Sequence, residues 1–196
     1  MAHEYSAENH DWDLTLRAAW CLVVAAQVPD TASAPYSEGE KRFGCLTGSM
    51  LLSFCAIESF SASIAFSMPG EDRFKDFDFN MYRQKRAFWD KIDLIFEAIP
   101  HPVDKSHGLF QTIGRMQGWR NLVTHAFPYE IGKTEIANTS SEPTKLHAPF
   151  HNKQYSRRVT LEGAKEFYST ALAYIELLRD LTGIEPRATV TYALKE

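Results

Sequence analysis

The chain has 196 residues, enough for one ordinary domain with a buried core and too few for two large ones. Hydrophobic residues make up 44% and charged residues 23%, a globular balance that excludes a disordered chain. The formal net charge of −4 argues against a dedicated nucleic-acid coat protein, because such binding feeds on phosphate neutralisation, but it leaves room for an enzyme that touches RNA through a local basic groove.

Taken in order, residues 1–11 read as a loose acidic tail, so the apolar run WCLVVAAQV after it lacks the positive flank of a signal peptide. A first helix is predicted from about Asp13 to Val28, with Leu16, Trp20, Val23 and Val24 as its apolar stripe and Pro29 after its end. Residues 29–36 form a linker. Ser37 and Glu40 then make a capping box that opens a second helix running to about Ser67. Its apolar positions Phe43, Leu46, Met50, Phe54, Ile57, Ile64 and Met68 recur at helical spacing, and Gly44, Gly48, Ala56 and Ala62 allow close packing before Pro69-Gly70 stops it. Glu58 is the one charge between residues 43 and 70, a length that could cross a bilayer. The hydroxyls of Thr47, Ser49, Ser53, Ser59, Ser61, Ser63 and Ser67 interrupt that run and point instead to a buried bundle helix.

Asp78 or Asn80 can cap a third helix from about Met81 to Ile99, with Phe88, Ile92, Ile95, Phe96 and Ile99 on one face and Pro100 and Pro102 beyond. Ser106 is placed to cap a fourth, from about His107 to Phe127, with Ile113, Met116, Trp119, Val123 and Ala126 inward. Residues 128–159 change character: YEIGKTEIA alternates like a strand and QYSRRVTL can return as its partner. A fifth helix starts near Thr160 and runs to about Leu181, burying Ala164, Tyr168, Ala171, Ile175 and Leu178, with Gly183 where a helix-ending glycine belongs. The expected fold is all-α: one domain over residues 1–196, an antiparallel bundle of four to five helices. Its core spans about 37–182, with a small β-hairpin or long-loop insertion at about 128–159, before the last helix. Cys21, Cys45 and Cys55 are odd in number, form no CxxC and lie in apolar stretches, so they read as buried thiols of a reducing, cytoplasmic compartment.

Chemistry concentrates in QGWRNLVTHAFPYE, residues 117–130. On a helix Asn121 and His125 share a face one turn apart, and Arg120 lies about 140° around from His125, within reach of the same groove through its long stem. A histidine near neutral pKa moves protons, an arginine clamps a phosphate with parallel hydrogen bonds, and an amide orients either. Glu58, alone among apolar neighbours, needs a partner, and Arg120 or Arg115 from another helix is the natural one. The competing reading is a polar helix end, with Glu58 pointing to solvent.

RNLVTH at 120–125 resembles the Arg-x4-6-His motif of HEPN domains, in the form with a polar residue directly after the arginine. The layout, with the motif late in one helix and an acidic residue in an earlier long helix, is similar over roughly residues 37–182. The resemblance implies a metal-independent endoribonuclease of toxin–antitoxin or defence type, without cofactor. It implies a homodimer that joins two motif copies in one cleft, with an antitoxin or nucleotidyltransferase as candidate partner. Carried over, His125 acts on the ribose 2′-hydroxyl or the leaving oxygen, Arg120 binds the scissile phosphate, and Asn121 positions either, with Glu58 in support.

Lys133, Lys145, Lys153, Arg157 and Arg158, interleaved with Tyr129, Phe150 and Tyr155, can contact RNA by charge and stacking or form a solvated loop; Lys133, Arg157 and Arg158 are the leading contacts. Arg83, Lys85 and Arg86 read as an exposed face. His147 and His151 suit a metal only on a helix, which Pro149 opposes, so no metal site is expected. There is no nucleophile elbow and no phosphate-binding glycine loop. A non-catalytic helical scaffold, binding nucleotide or RNA without cleavage, is the alternative from a different class.

Overall fold

A computed structural model describes residues 5–8, 10–29, 38–124, 156–186 and 191–194. The fold is all-α, a helical bundle. Its helices are α1 (Trp12–Ala25), α2 (Glu38–Ser67), α3 (Phe79–Gln84), α4 (Phe88–Ala98), α5 (Gly108–Thr124) and α6 (Leu161–Thr182). Short strands β1 (Tyr5–Glu8) and β2 (Thr191–Leu194) pair antiparallel, so part of the segment read as a loose tail is tied to the far end of the chain. The capping box at Ser37 and most of the insertion lie outside the described residues.

The long helix α2 is the axis, packed by α1, α6, α5 and α4. Met50, Phe54, Ile57, Phe60 and Ile64 are fully buried along it, as is Met68 in the turn just past its end. Two of its buried serines are accommodated by their own helix: Ser53 and Ser61 donate to the carbonyls of Ser49 and Ile57 at 2.8 and 2.7 Å, whereas the buried Ser49 hydroxyl has no partner among the described residues. The Ser61 hydroxyl also meets the Tyr174 hydroxyl of α6 at 2.8 Å, so one polar contact is satisfied across the core. α2 is long and apolar enough to cross a membrane, yet 61% of its most apolar window is buried against the rest of the protein. Of the four small residues, Gly48 sits against Leu22 of α1, where a Cβ would come within 2.9 Å, and Ala56 is fully buried. Gly44 and Ala62 face outward.

The first helix turns a different face inward than its run of apolar residues suggests. Trp12, Leu16, Ala19 and Val23 are buried, while Trp20 and Val24 are exposed, as is Cys21. Residues 19–25 are almost continuously apolar, so the periodicity cannot choose a face there, and packing on α2 decides. Cys45 and Cys55 are half-buried, so none of the three thiols is a fully buried one.

The third predicted helix is two. Asp78 caps α3 by accepting from the Met81 amide at 3.0 Å, but the chain turns extended at Lys85 before α4 begins at Phe88. Between the buried Tyr82 and the buried Phe88 every residue is polar or small, so no apolar anchor holds a continuous helix through 83–87. The break turns Phe88 onto Phe54 of α2, ring centres 5.0 Å apart. Ser106 donates to the Asp104 carboxylate through both its amide and its hydroxyl. The last helix begins and ends where expected: Thr160 accepts from the Gly163 amide at 2.9 Å, and Gly183 closes α6 at φ 68°. Its buried face includes Phe167 and Tyr174, while Tyr168, expected inside, is only half-buried. Ser156–Arg158, expected as part of a returning strand, is a single 3-10 turn. It leads straight into the Thr160 cap, which leaves no length for a strand at that point.

Candidate functional site

Helix α5 is anchored by Phe110, Ile113, Met116 and Trp119, all buried, with Val123 half-buried at its end. Those residues fix its rotation. Arg115 and Arg120, about 140° apart on the helix, therefore emerge on its two flanks. Arg115 turns to α6, where its Nη2 meets Glu166 Oε1 at 2.9 Å. Arg120 turns to α2, where its Nη2 donates to Glu58 Oε1 at 2.8 Å. Of the two arginines that could answer Glu58, the structure selects Arg120.

Two further contacts hold that guanidinium. Its Nη1 donates to Asn121 Oδ1 at 3.0 Å, and its carbon lies 5.1 Å from the centre of the Phe54 ring. Side-chain exposure is 25% for Arg120 and 38% for Glu58, so the pair sits at the bundle edge, half-buried, rather than in the dry core that a lone acid in an apolar helix suggests. Water still reaches it, and with it any anion. Arginine has five N–H donors, and the contacts to Glu58 and Asn121 use two of them. Asn121 is exposed.

Phe54 stands in the sequence as a core position on the face of Glu58; its role as the ring beneath Arg120 was not foreseen, and neither were two titratable neighbours. Phe54 precedes Glu58 by one helical turn and so shares its face, which is the signal that could have found it. Burial pushes the Cys55 thiol up, and the charge of Glu58 adds to this, with Arg120 opposing. Burial, then Glu58, also raises the Tyr82 phenol. Both groups are therefore neutral at physiological pH, and the charges of this flank are those of Glu58 and Arg120.

His125 and Lys133 lie outside the described residues, as do His147 and His151. Arg157 and Arg158 are exposed. Arg158 lines an open cavity of about 520 Å³ together with Arg115 and Glu166, on the α6 flank of α5 and not with Arg120. Gly163 faces the same cavity; a Cβ there would come within 2.3 Å of the Arg158 carbonyl oxygen, so the turn carrying Arg158 needs glycine at that place. Among the described residues no group of His, Cys, Asp and Glu side chains could hold a metal ion. Comparison of the chain with family models, curated proteins and solved structures finds no match.

Proposed function

We propose that the protein is a HEPN-like, metal-independent endoribonuclease, cytoplasmic and active as a homodimer whose two motif copies share one cleft. The observation that carries this reading is the Arg120 guanidinium, held between Glu58, Asn121 and the Phe54 ring by contacts that use two of its donors among the described residues, with a quarter of its side chain exposed. A cation fixed in this way is preorganised for a phosphate, because its rotamer freedom is already spent before substrate arrives. His125, one residue past the described end of α5, takes the proton of the ribose 2′-hydroxyl. The 2′-oxygen then bonds to phosphorus, the bond to the 5′-oxygen breaks, and that leaving oxygen takes up a proton. The products are a 2′,3′-cyclic phosphate and a free 5′-hydroxyl. Arg120 offsets the negative charge that builds on the phosphoryl oxygens. This chemistry fits a toxin or a defence effector, in which an antitoxin or a nucleotidyltransferase partner would hold activity in check.

The expected result is RNA cleavage in the presence of EDTA that falls by about 10²–10⁴-fold in His125→Ala, the usual range for loss of a general acid–base group. DNA of the same sequence, lacking the 2′-hydroxyl, stays intact. Equal cleavage by the wild type and His125→Ala would remove the enzyme reading.

A second reading is a non-catalytic scaffold that binds RNA or a nucleotide. It is favoured by the same contacts: an arginine already bonded to Glu58 and Asn121 also serves to clamp α5 to α2. It predicts salt-dependent RNA binding with no cleavage by any variant.

A further inference from the structure

A second cavity, of about 450 Å³, opens between the turns after α2 and helix α4, and shares no lining residue with the Arg120 cluster. Its size is that of a ligand or side-chain pocket rather than a packing defect. The floor is apolar: Phe74 is 3% exposed, and Phe77 and Leu94 are half-buried against the core. Met81, 44% exposed, stands among the lining residues as an uncovered thioether.

The lining charges are one-sided. Asp76, Asp78 and Glu97 bring three carboxylates against the single guanidinium of Arg73. Arg73 is tied back, donating to the Leu181 carbonyl at 3.1 Å and lying over the Phe74 ring at 4.9 Å. Asp78 spends one oxygen on the cap of α3. None of the three carboxylates has an ion-pair partner among the described residues. An apolar floor under an anionic rim repels nucleic acid and suits a ligand with the opposite layout, apolar at its centre and cationic at its edges.

We propose that this cavity is a docking pocket for a basic amphipathic segment of a partner protein. The segment seats an apolar side chain between Phe74, Phe77 and Leu94 and sets lysines or arginines against Asp76, Asp78 and Glu97. Burial of the apolar anchor supplies affinity, and the rim charges supply orientation and association rate. The pocket does not depend on the ribonuclease reading, and neither fails with the other.

The test uses the full chain and a fluorescein-labelled peptide with a Leu-Phe centre flanked on both sides by lysine pairs. Fluorescence anisotropy should show saturable binding that weakens with added salt. A glutamate-flanked peptide, and a lysine-flanked peptide with a Gly-Gly centre, should each bind at least about tenfold more weakly. Asp76→Lys with Glu97→Lys, both on exposed positions, should weaken the first peptide by about tenfold. Circular dichroism of each variant separates lost binding from lost fold. Equal binding of the Leu-Phe and Gly-Gly peptides would reduce the site to a charged patch and overturn the proposal. So would unchanged binding by a folded Asp76→Lys/Glu97→Lys variant.

Discussion

Arg115 and Arg120 stand on one helix, each paired with a glutamate of a neighbouring helix at nearly the same distance, 2.9 and 2.8 Å. They are not equivalent. The Arg115–Glu166 side chains are 46% and 49% exposed, whereas Arg120–Glu58 are 25% and 38%. Arg115's second contact is the Thr112 hydroxyl of its own helix; Arg120 also has Asn121 and an aromatic face beneath it. An exposed pair is screened by water and contributes little. A half-buried one with added acceptors and a ring to lie on holds a single geometry. The difference lies in what α2 offers: at Phe54 and Glu58 it presents ring and carboxylate one turn apart.

The comparison can be broken most severely at Trp119, which sets the rotation of α5 and is 2% exposed. Trp119→Ala should cost about 3–5 kcal/mol, read by chemical denaturation. It should loosen both flanks together. At the level of the pairs, Glu58→Ala should cost about 1–2 kcal/mol, since it leaves a half-buried guanidinium short of an acceptor, while Glu166→Ala should cost under about 0.5 kcal/mol. A double-mutant cycle on each pair would show whether the coupling differs as the exposures do.

The smallest effect is chemical. Cys55 is held protonated by burial and by Glu58, so its alkylation by iodoacetamide should be slower than that of exposed Cys21. Glu58→Gln should raise the Cys55 rate by about two- to threefold by removing one of the two charges that act on it, and Glu166→Gln should leave it unchanged. The same shifts give the stability its alkaline limit. Cys55, Tyr82 and Tyr174 have folded pKa values raised above their ordinary values of 9.0 and 10.0. The unfolded chain therefore loses those protons first. Their contribution is complete below about pH 9 and declines as pH rises past the ordinary values toward the folded ones.

Helices were legible where apolar spacing and end signals agreed, as in α6, whose start near Thr160 and stop at Gly183 both stand as read. They were misread where spacing carried no choice. The continuous apolar run of α1 hid which face is inward, and the apolar gap from residue 83 to residue 87 hid the break between α3 and α4. The pairing of β1 with β2 joins segments nearly the whole chain apart, and such partners leave no local pattern. At the site, the need of Glu58 for an arginine was readable from its isolation. The choice of Arg120 over Arg115 was not, because it depends on the rotation of α5 about Trp119.

The most direct test of the central claim sets the two arginines against each other in one cleavage assay, with RNA as substrate and EDTA present. Arg120→Ala should lose about 10²–10³-fold in rate, the range for removing a preorganised charge from a transition state, while Arg115→Ala stays within about twofold of the wild type. An equal loss in both variants, or none in Arg120→Ala, would contradict the assignment of Arg120 to the scissile phosphate.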